Sequence, residues 1–143
     1  MSNLVIIPTY NEKENIEAII TAVMELPIEY HVLVIDDGSP DGTANIVKNL
    51  MSDKFAGKLH LVERAGKLGL GTAYIAGFKW AIEHQYDYIF EMDADFSHNP
   101  QDLLKLYDAC ANQGADDTLK TSQKNFFFTS CLSQALDILV SVR

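Results

Sequence analysis

The sequence predicts an α/β domain built on a largely parallel sheet. Short apolar runs alternate with longer segments of helical period, which is the layout of strands and crossover helices. The chain has 143 residues and 48% hydrophobic content, enough for one domain with a real core. Three polar clusters, at 9–12, 36–41 and 93–98, each fall directly after an apolar run. In open α/β sheets ligands bind beyond the carboxyl ends of the strands, so the three clusters are expected to share one crevice.

The first strand is Leu4 to Ile7, closed by Pro8. A helix over about 13–26 follows, with Ile16, Ile19, Ile20 and Val23 spaced to make one apolar face and Pro27 ending it. Tyr30 to Ile35 reads as a strand covered on both faces and stops at Asp36-Asp37. "GSPDGT" is dense in turn formers, with Asp41 placed to cap a helix over about 42–51. Leu59 to Val62 forms a third strand, and a Gly-rich turn leads into a helix over about 71–84 that buries Ile75, Phe78 and Ala81 or Ile82. Tyr88 to Met92 is the fourth strand. Asn99 caps the next helix with Pro100 at its first position, where a missing N–H costs nothing, and that helix ends near Gly114. Past Asp116, Phe126-Phe127-Phe128 is strand-like and Leu132 to Val142 is of helical character, with no turn chemistry tying either to what precedes.

Acidic residues number 20 against 11 Lys and Arg, a formal charge of −9. Such a surface repels a phosphate backbone, so nucleic acid is not an expected partner. An anionic substrate needs local help from a metal ion or placed cations. Cys110 and Cys131 show neither metal-ligand spacing nor a disulfide framework, which suits a reducing compartment. With no signal-peptide pattern and no apolar stretch of membrane-spanning length, the expected location is cytoplasmic.

The most informative segment is "EMDADFSHNP", Glu91 to Pro100. On a strand, Asp93 and Asp95 point to the same side, so two carboxylates can share one hard cation that also grips a diphosphate. The plainer reading is a solvated acidic turn. Asp36-Asp37 offers a carboxylate to ribose hydroxyls or a base edge, or simply terminates a strand. "PTYNE" adds Tyr10, an aromatic that can lie against a base, and Glu12, favourably placed near a helix start; helix capping alone explains Asn11 and Glu12 equally well. "RAGKLGLGTA", Arg64 to Ala73, lacks the ending of a Walker loop and the third glycine of a dinucleotide fingerprint, leaving a turn with two cations, Arg64 and Lys67. His31, His60 and His84 read as strand-edge or helix-surface residues, and His98 as a solvent contact beside the acids.

Together, "VIIPTYNEKENI", "VLVIDDGSPDGT", "KLGLGTAYIAGF" and "EMDADFSHNP" resemble family 2 glycosyltransferases of the dolichol-phosphate mannosyltransferase type, in order and spacing through about Asp116. The resemblance implies a GT-A fold, a nucleotide-sugar donor, usually GDP-mannose, Mg²⁺ or Mn²⁺, and transfer with inversion to a dolichyl or polyprenyl phosphate. It implies that Pro8, Tyr10, Glu12, Ile35 and Asp37 meet the nucleotide and that Asp93 and Ala94 line the diphosphate and sugar side. Asp95 becomes the principal metal ligand with Ser97 beside it, so Asp93 and Asp95 are the catalytic pair. The acceptor further implies peripheral contact with the cytosolic face of a membrane, that of the endoplasmic reticulum in a eukaryote, and a membrane-protein subunit as a possible partner.

After "GADD" the resemblance stops where a Gly-Ser-Arg-Tyr-like segment is expected. The chain is therefore expected to divide into a donor-binding part, 1–116, and an atypical tail, 117–143, from a truncated or frame-shifted product, with the sheet incomplete and the tail protease-sensitive. Two other classes compete. A non-catalytic nucleotide-binding or partner-binding fragment differs from the enzyme in binding donor without transferring sugar. A receiver-like signalling domain needs its acidic pair after the first strand, where this chain has Pro8-Thr9-Tyr10.

Overall fold

The computed structural model describes residues 2–112 and 129–131. Nine elements occur among them: β1 (Asn3–Thr9), α1 (Ile16–Met24), β2 (His31–Asp36), α2 (Thr43–Asp53), β3 (Leu59–Glu63), α3 (Leu70–Glu83), β4 (Tyr88–Glu91), α4 (Asp102–Asn112) and β5 (Thr129–Cys131). The sheet order is β3-β2-β1-β4-β5, with β1 to β4 parallel and β5 antiparallel on the β4 edge.

Alternation along the strands feeds two cores. Val5, Ile7, Val32, Val34 and Phe90 face α1, α2 and the start of α4, meeting Ile16, Ile19, Ile20, Val23, Val47 and Leu103. Leu4, Ile6, Leu33, Ile35 and Ile89 face α3, meeting Ala73, Phe78 and Ala81. The chain winds outward from β1 to β3 and returns across the other face to β4, so the order reverses between β1 and β4. Crevices open at such reversals.

Pro8 does not close β1. The strand runs on to Thr9, paired with Asp36 of β2. Ile6 offers its carbonyl to Met92 on the β4 side and Thr9 offers its own to Asp37 on the β2 side, so the ring nitrogen of Pro8 faces β4. Pairing with β4 ends at Ile6 and Glu91, and the missing N–H therefore breaks no ladder bond.

The buried stripe of α3 also differs from expectation: it is Ala73, Gly77, Phe78 and Ala81, with Ile75 and Ile82 only half-buried. Gly77 sets this phase, because a Cβ there would stand 2.7 Å from Cγ2 and 2.8 Å from Cδ1 of Ile6. Asp41 does not occupy the cap position of α2, which is Gly42 at φ 92°; its carboxylate instead receives the Thr43 N–H and hydroxyl. Asn99 accepts the Gln101 N–H at 3.0 Å and turns the chain into α4.

The three histidines read as strand-edge or helix-surface residues gather in one aromatic layer on the α3 face. Trp80 stacks on His84 with ring centroids 3.7 Å apart and lies 4.9 Å from His60, while Tyr86 bridges toward His31 at 2.8 Å. Burial, with the charges of His31 and His84, lowers the His60 pKa. The expected division near 116, the Phe126–Phe128 strand and the 132–142 helix lie outside the described residues. Within the segment read as a tail, Thr129–Cys131 extend the sheet, an attachment that nothing in the local sequence signals.

Gly77→Ala tests the close approach of α3 to β1. The substitution gains about 1 kcal/mol of helix propensity but overpacks Ile6 at a cost of about 1–3 kcal/mol. We expect a net loss and a Tm lower by about 2–4 °C; a Tm above the parent would show that Ile6 moves freely.

Candidate functional site

The loops after β1, β2 and β4 and the turn before α3 enclose a cleft of about 220 Å³, lined by Pro8, Tyr10, Glu12, Asp37, Lys67, Asp93, Ala94 and Asp95 among others. Four segments, spread from Pro8 to Asp95, are thus brought to one place, as the sheet topology requires.

Its floor is a network of side chains. Asp36 is buried and accepts the Thr9 hydroxyl at 2.8 Å, the Ser39 hydroxyl at 2.6 Å and the Ser39 N–H at 3.0 Å. Ser39 Oγ in turn receives the Asn11 N–H, Thr43 Oγ1 the Glu12 N–H and Asp41 Oδ2 the Lys13 N–H. These bonds hold Asn11 in a left-handed conformation, φ 57°, and seat Tyr10 and Glu12 on the cleft wall.

Asp37 is held by Arg64. Its Oδ1 accepts Arg64 Nε at 2.6 Å and its Oδ2 accepts Nη2 at 2.8 Å and the Leu68 N–H at 3.3 Å. The same guanidinium reaches Thr72 Oγ1 and the Gly69 carbonyl, so one cation ties the Gly-rich turn to β2. A carboxylate has about four acceptor positions, and three are taken here. Lys67 is the cation facing the cleft, with Nζ 4.6 Å from the centre of the Tyr10 ring.

The acidic segment after β4 divides by environment. Glu91 is buried, and burial reinforced by the Asp93 charge pushes its carboxyl up to about 8, so it is neutral at pH 7. Asp93 Oδ1 accepts the Tyr74 hydroxyl at 2.9 Å. Asp95 is exposed, and hydrogen bonds from the Ser97 side chain and N–H hold its carboxyl below the ordinary value. Phe96 between them takes a left-handed φ of 59°.

The sequence-expected residues Pro8, Tyr10, Glu12, Asp37, Asp93, Ala94 and Asp95 all line the cleft. Ile35 does not: its side chain is fully enclosed in the α3-side core, covered by the helix packed over that face of the sheet. Ser97 lies outside the lining and reaches the site through Asp95. His98 is buried rather than a solvent contact. Arg64 and Tyr74 complete the site, and no local signal gives their partners, 27 and 19 residues away.

Residues 4–129 match the family model described as glycosyl transferase family 2. The chain belongs to this family. Over 114 residues it is 47% identical to a polyprenol monophosphomannose synthase of Mycolicibacterium smegmatis, covering 79% of this chain and 42% of that protein. An undecaprenyl-phosphate mannosyltransferase of Micrococcus luteus is 44% identical over 109 residues, 76% of this chain and 44% of the relative. The chain therefore spans less than half the length of these relatives. Among solved structures, the mannosyltransferase PcManGT of Pyrobaculum calidifontis in complex with GDP-Man and Mn²⁺ superposes with a TM-score of 0.59 at 29% identity, covering 65% of this chain and 27% of that one. TarS 1-349 of S. aureus gives 0.66 at 22% identity, over 87% and 39% respectively, a likeness of fold alone. The fold is the GT-A-like α/β fold of family 2, and the acidic pair after β4 occupies its strand-end crevice.

The neutral state of Glu91 has a stability consequence. Its folded value near 8 lies above the ordinary 4.5, so the native state keeps a proton that the unfolded chain has lost. Stability from this group declines as pH rises through that window and levels off above it. Glu91→Gln mimics the neutral acid and, in metal-free buffer, should raise Tm more at about pH 8.5 than at about pH 5. An equal change at both would mean that Glu91 is ionised throughout.

Proposed function

We propose that this chain binds the donor of a family 2 mannosyltransferase, GDP-mannose with Mg²⁺ or Mn²⁺, for transfer with inversion to a polyprenyl phosphate. The observation that carries the reading is the meeting of Tyr10, Asp37, Asp93 and Asp95 in one cleft at the reversal point of the sheet. The names of the two curated relatives and the GDP-Man complex of the archaeal mannosyltransferase support mannose as the sugar and a lipid phosphate as the acceptor.

The donor set fits a hard cation that arrives with a diphosphate. Among the described residues no group of three or more His, Cys, Asp or Glu could hold a metal by itself. Mg²⁺-like ions are commonly held by one or two carboxylates together with substrate phosphates, and Asp95 with Asp93 supplies that number. Bound there, the cation would neutralise charge on the departing diphosphate.

The chain's own residues do the rest. Tyr10 presents its ring to the base, Lys67 stands beside the cleft to meet phosphate charge, and Asp37 keeps one acceptor position for the nucleoside. A lipid phosphate is already an anionic nucleophile near neutral pH, so attack at the sugar carbon needs orientation and a stabilised leaving group rather than a strong base. None of the described helices is long and apolar enough to cross a membrane, and the proposal places the acceptor at the cytosolic face of one.

Thermal denaturation with a panel of nucleotide sugars tests the donor. GDP-mannose with Mn²⁺ at about 100 times its Kd should raise Tm by about 5–10 °C, and UDP-sugars by clearly less. Asp95→Ala should abolish the Mn²⁺ increment while leaving binding in EDTA in place, whereas Asp37→Asn should weaken GDP with or without metal. A parent-like Mn²⁺ response in Asp95→Ala would reduce the acidic pair to a turn.

A further inference from the structure

The third-glycine position of a dinucleotide fingerprint, counting from Gly69 and Gly71, is held by Tyr74. That phenol is the one hydrogen-bond donor to the Asp93 side chain among the described residues. Tyr74 stands near the start of α3, immediately after Ala73, which lines the cleft. Three residues on, Gly77 seats the same helix against Ile6 of β1. The hydroxyl is thus carried on a helix pinned to the central strand, so its own position is fixed by the packing of the core.

We propose that Tyr74 is a positioning residue that holds Asp93 by Oδ1 and leaves Oδ2 to the donor diphosphate and its cation. The inference rests on the donor-site reading above and deepens it. Asp95 is treated the same way by a different donor: its Oδ1 receives the Ser97 N–H at 2.9 Å. Each carboxylate is thus oriented by a donor of the protein while it faces the cleft. The two tethers differ in stiffness, because Tyr74 belongs to a helix whereas Ser97 belongs to the exposed turn that contains Asp95. A phenol is protonated near neutral pH, so Tyr74 donates and Asp93 accepts. Orienting partners of metal-binding groups fix the ligand's rotamer before the ion arrives, and their loss commonly costs about 10- to 100-fold in metal affinity.

The test titrates GDP into the parent and Tyr74→Phe, in EDTA and across a range of Mn²⁺. We expect equal GDP affinity in EDTA and a Mn²⁺ requirement for half-maximal GDP binding that rises about 10-fold in Tyr74→Phe. In an Asp93→Ala background the same substitution should add nothing, since its effect passes through Asp93. A merely structural role would lower GDP affinity in EDTA as well and would persist without Asp93. Metal-dependent GDP binding in the parent with an unchanged Mn²⁺ requirement in Tyr74→Phe overturns the positioning role alone. Failure of the parent to bind GDP in a metal-dependent way overturns the donor site and this inference together. A measurement on the parent stands even where the variant does not fold: with tyrosine labelled at Cζ, the Tyr74 hydroxyl should remain in slow exchange with water when GDP and Mg²⁺ are added. Collapse into fast exchange on binding would show that the bond breaks and that Tyr74 does not hold the liganded site.

Discussion

The hydrogen bond from Thr9 Oγ1 to Asp36 Oδ1 joins the carboxyl ends of β1 and β2, and the cleft depends on it. Both residues are buried, and buried polar groups require partners, so the two strand ends are committed to each other. The commitment spreads outward through Ser39, Asp41 and Thr43, which collect the N–H groups of Asn11, Glu12 and Lys13. Segment 10–13 consequently has no independent course: its backbone donors are spent on the β2 loop. Tyr10 and Glu12 face the cleft as a result, and Asp36, which reads like the twin of Asp37, is a buried structural residue whose bonds go to Thr9 and Ser39.

A cleft lined by Glu12, Asp37, Asp93 and Asp95 has a charge problem that the fold solves one acid at a time. Asp37 is matched by a fork of Arg64 whose side chain is almost as buried as its own. Such a pair contributes little by itself once desolvation is counted, but breaking it leaves a charge stranded, and this one also fixes the Gly-rich turn. Glu91, next to Asp93, is kept neutral. Asp93 is shared with a phenol and Asp95 remains in solvent. Besides Glu12, what is left negative and accessible lies at the end of β4, separated from Asp37 by the β1 loop. Under the donor-site proposal this asymmetry separates the nucleoside end from the diphosphate end.

The layout of the sheet was legible because it follows from local pattern. Apolar runs such as 4–7 and 30–35, short and rich in Val and Ile, read as strands covered on both faces, and turn clusters after strands give the crevice without any knowledge of packing. The errors share a cause. Pro8 is tolerated inside β1 because β4 stops pairing two residues earlier, a fact of the neighbouring strand. The phase of α3 is decided by the gap that Gly77 leaves for Ile6, and the enclosure of Ile35 by the helix packed over its face of the sheet. Arg64 and Tyr74 carry obvious polar chemistry, yet their roles are set by partners on other elements. Sequence pattern reports which residues are available at a strand end; only the assembled sheet reports which of them are already spoken for.

The donor set also bears on how metal and nucleotide depend on each other. Two carboxylates already engaged by donors of the protein, with no group of three or more His, Cys, Asp or Glu able to hold a metal among the described residues, make a poor resident site. Completing the shell of a hard cation then falls to water and to the phosphates of the ligand. Under the donor-site proposal the two occupants are linked: whatever factor the cation contributes to nucleotide affinity, the nucleotide must contribute to cation affinity. A chain of net charge −9 gains from such an arrangement, since an unliganded cleft that held cations tightly would do so indiscriminately, whereas one that completes its shell with a diphosphate selects for the ligand it has to bind.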